Sequence, residues 1–387
     1  MNIDKYVFSQ LTWFLDRNHF NYLVRKYGGD KYVKFFTCWN QMLALMFGQL
    51  SNRESLRDLI VALEAHRSKC HHLGMGKHVT RSNLSKANEN RDCRIFEDFA
   101  YYMIDEARRK RVTDIFNLEG NVYAFDSTTV DLCLSVFEWA RFRTTKGGIK
   151  VHTMYDVESQ VPVFMLVTPA AVHDVNAMDA IPYEPGSFYI FDRGYNDFKR
   201  LYRINLLDSF FVIRSKNNLR YKIVKWKRRL PRNVLSDAEI ELTGFYPSKH
   251  YPKRLRLIRY WDEEQGREFM FLTNAFGLSA LLIAELYKNR WQIELFFKWL
   301  KQHLRIKKFW GTSENAVKTQ IYVAIITYCL VAIVQHDMHL DRSTYEVFQI
   351  LSISLTDKTP LKDLFNNTNC NNVKEQTDTS ELLLFDF

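Results

Sequence analysis

The sequence predicts an α/β protein whose first part is all helix, and three observations predict it. Apolar residues recur at helical spacing up to about residue 110. From residue 121 the pattern changes to short β-rich runs separated by helical ones. A second β-rich stretch, residues 214–275, breaks that rhythm and carries a concentrated positive charge.

The elements follow in order. The run from Tyr32 to Leu50 has the apolar spacing of a helix, and Ser55 opens a second over residues 55–66. A Gly-containing turn then leads to Thr80, which can cap a helix over 80–91. Two helices around a turn, the second rich in Arg, Asn and Ser, resemble a helix-turn-helix. Arg81 and Asn83 there are side chains suited to reading guanine and adenine edges. Past residue 121, "NVYAFD" reads as a strand ending in Asp126, "GIKVHTMYDV" and "VPVFMLVTPA" as two more, and "VNAMDAI" as a helix. "SFYIFD" is a strand ending in Asp192, "NDFKRLYRINLL" a helix and "SFFVIR" a strand. This order suggests a sheet of mixed strand directions. The chain continues with β-type runs such as "RYKIVKW" and "RLRLIRYW", one long helix ending in "YKNRWQIELFFKWLKQHL", and an apolar helix. The segment from 366 is polar and reads as a disordered tail.

Composition narrows the function. The 387 residues are 47% hydrophobic and 15% aromatic, with a net charge of +10, which excludes a disordered chain and suggests a polyanionic partner. Residues 199–260 alone hold 17 Lys/Arg and 4 Asp/Glu, so the positive charge is concentrated there, as a phosphate-binding surface requires. A membrane role is disfavoured. The N-terminus lacks a signal-peptide pattern. The apolar run Ile321–Val334 has 14 residues, short of the roughly 20 that span a bilayer, and reads as a buried core helix. The six cysteines form no CxxC pair, which argues against structural zinc and fits a reducing cytoplasm.

The most informative stretch is Tyr287–Lys301. On one helix, Arg290, Glu294, Lys298 and Lys301 would share an arc of about 80°. Trp291, Leu295 and Trp299 would flank it, a poor surface for water and a good one for a groove. A lone carboxylate among cations would face Asp126 and Asp192, each closing an apolar strand, where α/β sheets bind ligands. Such an all-oxygen site suits Mg²⁺ or Mn²⁺, and two ions can clamp the attacking and leaving oxygens of a phosphodiester displacement. An ordinary solvated face with ion pairs at four-residue spacing is the plain alternative.

These residues resemble a known family. Tyr287, Arg290, Glu294 and Lys301 match the Tyr-x2-Arg-x3-Glu-x6-Lys signature of bacterial insertion-sequence transposases of the Asp-Asp-Glu class. "AFDSTTVDL" and "IFDRGYND" look like the family's two Asp motifs, and the likeness covers roughly residues 120–335. The resemblance implies an α/β fold with a ribonuclease-H-like catalytic core (113–213 and 276–365) and a β-rich insertion (214–275) between the second Asp and the Glu. An all-α N-terminal domain (1–112) would precede it. It implies metal-dependent cleavage at transposon ends and strand transfer into target DNA, with a DNA hairpin as a possible intermediate. Asp126, Asp192 and Glu294 carry over as metal ligands for two Mg²⁺ or Mn²⁺ ions. Tyr287, Arg290 and Lys301 carry over as contacts to DNA phosphates, with Lys298 beside them. An aromatic of the insertion stacks on a flipped base in relatives, which makes Trp226 and Trp261 candidates.

Arg193, Arg214, Lys216 and Lys146 are further candidate DNA contacts, and Lys150 could join them. His173 and Asp174 form a pair that reads as structural. The expected partners are terminal inverted repeats and target DNA, bound by a homodimer in the bacterial cytoplasm. A nuclease without strand transfer, or a DNA-binding protein with an inactive core, are the alternatives.

Overall fold

The structure, a computed structural model, describes residues 5–76, 79–111, 113–132, 137–140, 147–302 and 309–367. Among the described residues, six helices come first, α1 (Val7–Thr12), α2 (Arg17–Lys26), α3 (Cys38–Leu50), α4 (Leu56–Ala65), α5 (Arg81–Asn90) and α6 (Arg94–Lys110). Side-chain caps set several of their starts. Ser55 and Thr80 accept backbone N–H bonds at the heads of α4 and α5, as their sequences suggest. The helix expected from Tyr32 starts only at Cys38, because Thr37 and Asn40 form a reciprocal capping box there. The connection from α4 to α5 spans residues 66–80, far longer than the three- or four-residue turn of a helix-turn-helix, so that expectation is not met in its usual form.

The sheet follows: β1 (Val122–Leu132), β2 (Gly147–Asp156), β3 (Val161–Pro169), β4 (Phe188–Phe191), α7 (Phe198–Leu206) and β5 (Phe210–Arg214). The helix expected around Val175 is a 3₁₀ segment, Asp174–Ala180. Residues 214–275 add β6 (Tyr221–Trp226), β7 (Val234–Leu242), α8 (Phe245–His250), β8 (Leu255–Asp262) and β9 (Arg267–Thr273). These strands continue the same sheet, in the order β3-β2-β1-β4-β5-β9-β8-β7-β6. β1, β4 and β5 run parallel, and every other pairing is antiparallel.

The described residues close with α9 (Ala280–Lys288), α10 (Trp291–Gln302), α11 (Glu314–Asp337), α12 (Thr344–Ser354) and α13 (Leu361–Asn367). Alternation splits the apolar residues of the sheet into two cores. Phe125, Phe191, Ile213 and Leu272 face one, with Leu201 and Ile204 of α7. Ala124, Ile190, Val212 and Phe271 face the other, which is shared with α1–α6 and α9–α13. α11 lies at the centre of that core, buried from Ile321 to Val334 as the sequence predicts. It is long and apolar enough to cross a bilayer, yet 94% of its apolar window is covered by the protein itself. Two of its polar groups are matched by one side chain: Gln49 donates to the Gln320 carbonyl at 3.0 Å and accepts from the Thr327 hydroxyl at 3.1 Å.

One buried ion pair fastens the added strands to the rest. Arg256 of β8 and Asp237 of β7 are 1% and 3% exposed and pair through two bonds of 2.8 and 2.6 Å. Arg256 also donates to the carbonyls of Ala275 and Leu278, where the chain enters α9.

Candidate active site

Strand register places the two aspartates side by side. β1 and β4 pair in parallel from Val122–Phe188 to Phe125–Phe191, so Asp126 and Asp192 follow as the next residues on one face. Asp192 ends its strand as expected and accepts weakly from Gly194 N–H at 3.4 Å. Asp126 does not end its strand. β1 continues to Leu132 because β2 keeps pairing with it, and Asp126 marks the point where β1 leaves β4. Its Oδ1 is held by the Ser127 N–H at 2.8 Å.

The helix expected to carry the polar row is broken at Asn289–Arg290. Bonds from Arg290, Gln292 and Ile293 N–H reach back three residues, which tightens the chain to 3₁₀ geometry between α9 and α10. α9 packs on β5 and α10 on β1. The break turns Arg290 toward the sheet, where it donates to Asp126 Oδ2 at 3.0 Å and to Glu294 Oε1 at 2.5 Å. Tyr287 is buried against Phe271, and its hydroxyl makes a long contact, 3.5 Å, with Asp192. Five residues of the predicted site therefore meet: Asp126, Asp192, Tyr287, Arg290 and Glu294.

The electrostatics follow from that crowding. Burial pushes the Asp126 carboxyl up to about 6, against the pull of Arg290 and the Ser127 N–H; Asp192 and Glu294 push the same way as burial. Burial works against the Arg290 charge, but Tyr287, Asp126 and Glu294 together raise its pKa. Burial pushes the Tyr287 phenol up to about 12. Among the described residues, no three His, Cys, Asp or Glu side chains lie close enough together to hold a metal ion. The donor set is nonetheless the all-oxygen kind that Mg²⁺ and Mn²⁺ take. What stands between Asp126 and Glu294 is the Arg290 guanidinium.

The remaining predicted residues are placed as follows. Arg214 follows in line with Asp192 at the end of β5, its guanidinium over the Phe269 ring at 5.3 Å. Arg193 and Lys216 are exposed just beyond their strands, Lys298 is exposed on α10, and Lys301 is half-buried. Arg81 and Asn83 are exposed on α5, which packs on α3, α4 and α11 rather than on the sheet. Lys146 lies outside the described residues. Trp226 and Trp261 are exposed, and strand pairing puts them on the side of their strands that β1 fills with Phe125 rather than Asp126. Trp226 lines up through Ala238, Leu257, Leu272, Ile213 and Phe191 with Phe125, opposite Asp126, and Trp261 shares that side with Leu257. Trp299, expected to flank a groove, is buried edge-on against Tyr328 and Phe348, whereas Trp291 and Leu295 are exposed.

Behind Asp126, on the other face of β1, lies a polar cluster built on Asp174, whose histidine neighbour is His152 and not the adjacent His173. Asp174 accepts from Ser127 Oγ at 2.6 Å and from Lys150 Nζ at 3.1 Å. His152 sits opposite Ser127, is fully buried and meets Thr168 Oγ1 at 3.0 Å. The available signal was the alternation of Lys150 and His152 on one side of β2.

Burial pushes the His152 imidazole down to about 4. The unfolded chain takes up that proton near the ordinary value 6.5, while the folded chain refuses it until about 4. The stabilisation is therefore complete above 6.5 and is lost as pH falls toward 4, by up to about 3 kcal/mol. Denaturant midpoints measured across that window should fall less steeply for His152→Gln than for the wild type.

Sequence comparison supplies the class. Residues 117–330, more than half of the chain, match the family model of the transposase DDE domain, and the chain belongs to that family of DNA-cleaving and DNA-transferring enzymes. More narrowly, its relatives include proteins described as transposases, two of them for insertion sequence elements. A Sinorhizobium fredii protein described as a transposase is 34% identical over 259 residues, covering 65% of this chain and 70% of the relative. One from Geobacillus stearothermophilus, described as acting for insertion sequence element IS5377, is 33% identical over 53% of this chain and 54% of its own. One from Synechocystis, described for element IS4SA, is 26% identical over 77% and 80%. Residues 4–76 match a separate model described only as a domain of unknown function (DUF4372).

Proposed function

We propose that this transposase cuts DNA at the terminal inverted repeats of its element and joins the freed ends to target DNA, on a ribonuclease-H-like core. The observation that carries the reading is the in-register pair Asp126 and Asp192 facing Glu294 across Arg290. Asp126, Asp192 and Glu294 would hold a pair of Mg²⁺ or Mn²⁺ ions, which when bound activate the attacking oxygen and stabilise the leaving one. For their oxygens to be free, Arg290 has to leave them. A DNA phosphate is its natural alternative partner, since a guanidinium binds either group with paired hydrogen bonds. Tyr287 keeps Asp192 oriented and shields it from water. Arg193, Arg214, Lys216, Lys298 and Lys301 line the approach as phosphate contacts.

The β6–β7 region extends the grip. Lys222, Arg254 and Arg259 are matched by Glu241 and Glu268, while Lys225, Arg228 and Arg229 stay exposed at the outer edge of the sheet. The helical N-terminal region, with Arg81 and Asn83, recognises the ends, and a homodimer brings two ends together in the cytoplasm. A role for Trp226 or Trp261 on a flipped base has no support from their face of the sheet.

The test is a strand-transfer assay with duplexes taken from the DNA flanking the coding gene, a target plasmid, and Mg²⁺ or Mn²⁺. The expected product is a flank end joined through its 3′-OH to the plasmid. Cleavage without joining would make the protein a nuclease. Neither product, despite DNA binding, would mean an inactive core.

A further inference from the structure

Between α2 and α3 the chain makes an unusual excursion. Gly28 has φ of +64°, and a Cβ on Gly29 would lie 2.4 Å from the Ile95 side chain, so this turn is fixed by packing. Asp30 accepts from Cys38 N–H at 2.7 Å, and Arg91 donates to the Phe36 carbonyl. The loop is thus tied down at both ends. At its tip, Tyr32 and Phe35 are 92% and 89% exposed, and Tyr32 has φ of +61°, a left-handed backbone that costs a bulky residue energy. Two large rings standing in water on a firmly anchored loop are not explained by folding.

The surroundings indicate what covers them. The loop and α5 enclose a cleft of about 640 Å³ lined by Tyr32, Lys34, Phe35, Asn83, Lys86 and Asn90. Lys31, Lys34 and Lys86 are exposed and form no ion pair among the described residues, while Asp30 is bound by the Cys38 N–H and Asp92 by Arg94. The charge is therefore open to an anion. An exposed polar helix and an aromatic, lysine-bearing loop on either side of a cleft match one sugar-phosphate strand between two grooves. α5 would lie in the major groove and the loop in the adjacent minor groove.

We propose that loop 28–36 is a DNA wedge. Tyr32 and Phe35 insert against a base step in the minor groove while Lys34 and Lys86 clasp the intervening backbone, next to the bases read from α5. This rests on the transposase reading and assigns a binding role to the N-terminal region.

The test uses the full chain and fluorescent duplexes from the DNA flanking the coding gene, one set carrying 2-aminopurine at successive steps. The Tyr32→Ala/Phe35→Ala variant should melt like the wild type, because both side chains are exposed. It should bind the flank duplex about 10-fold or more weakly, the scale of lost base–aromatic stacking. Its salt dependence should be unchanged, whereas Lys34→Ala/Lys86→Ala should lower the slope by about one to two. Wild-type binding should raise 2-aminopurine emission at one step, and the aromatic variant should not. If the wild type binds and the aromatic variant binds equally well, the wedge is wrong and the transposase reading stands. If the aromatic variant keeps DNA affinity but loses self-association, the rings belong to a protein interface and the proposal fails. If the wild type binds no duplex, both readings fail together.

Discussion

Glu294→Gln is expected to stop Mg²⁺-dependent DNA cleavage, with a loss beyond the roughly 10- to 100-fold that removing an outer-shell partner costs. The amide keeps the shape and can still accept from Arg290, but it gives up the negative charge that a divalent cation requires. Glu294 is exposed, so the fold should not notice the change. Asp126→Asn should lose cleavage equally, with a revealing difference in stability. The Asp126 carboxyl titrates at about 6 in the fold against an ordinary 3.8, so its charge is penalised there. That penalty is absent below 3.8, grows between 3.8 and 6, and is constant above. At neutral pH the metal-free Asp126→Asn protein should therefore melt no lower than the wild type, since Glu294 still partners Arg290. Cleavage gels and thermal melts without metal check both halves. Retained cleavage in Glu294→Gln, or a steep loss of stability in Asp126→Asn, would show that the assigned site is wrong.

Asp237→Ala should produce the largest change in stability, a loss of about 3–5 kcal/mol, because it leaves the buried Arg256 guanidinium without its counter-charge. Lys227, 3.6 Å from the same carboxylate, is a second cation and cannot replace the lost negative charge. Replacing both partners, Asp237→Leu with Arg256→Met, should recover part of the stability, since a dry apolar pair carries no desolvation cost, although the Ala275 and Leu278 carbonyls lose their donor. Denaturant unfolding measures it, and a loss under about 1 kcal/mol would mean that water reaches the pair. Arg256 also holds the chain entering α9. Asp237→Ala should accordingly loosen the helix that carries Tyr287, and slow cleavage even at temperatures where the protein remains folded.

Much of this site could be read from the residues. Asp126 and Asp192 stood out because apolar strands precede them, and parallel pairing does put them abreast. Arg290 and Glu294 stood out as charges in an aromatic helix. The break at Asn289 was not legible, because the local residues favour a continuous helix and the pull comes from Asp126, more than 160 positions away. Trp299 looked like a groove residue because periodicity shows which face a side chain takes, not what covers that face; Tyr328 and Phe348 cover it. The side chosen by Trp226 and Trp261 depends on register across six strands, and no single strand reveals it. The same holds for the Asp174 cluster, which exists only once the strands around Asp126 pair.

The placement of α11 matters for synthesis as well as for the finished enzyme. Gln49 waits for Gln320, 271 residues later, and the apolar flank of α3 waits with it. At about 5–20 residues per second, a ribosome needs roughly 14 to 54 seconds to deliver that partner. Throughout that interval the nascent chain carries an uncovered greasy surface, which makes it a natural client for ribosome-associated chaperones. The core around α3 therefore closes only after about five-sixths of the chain has been made.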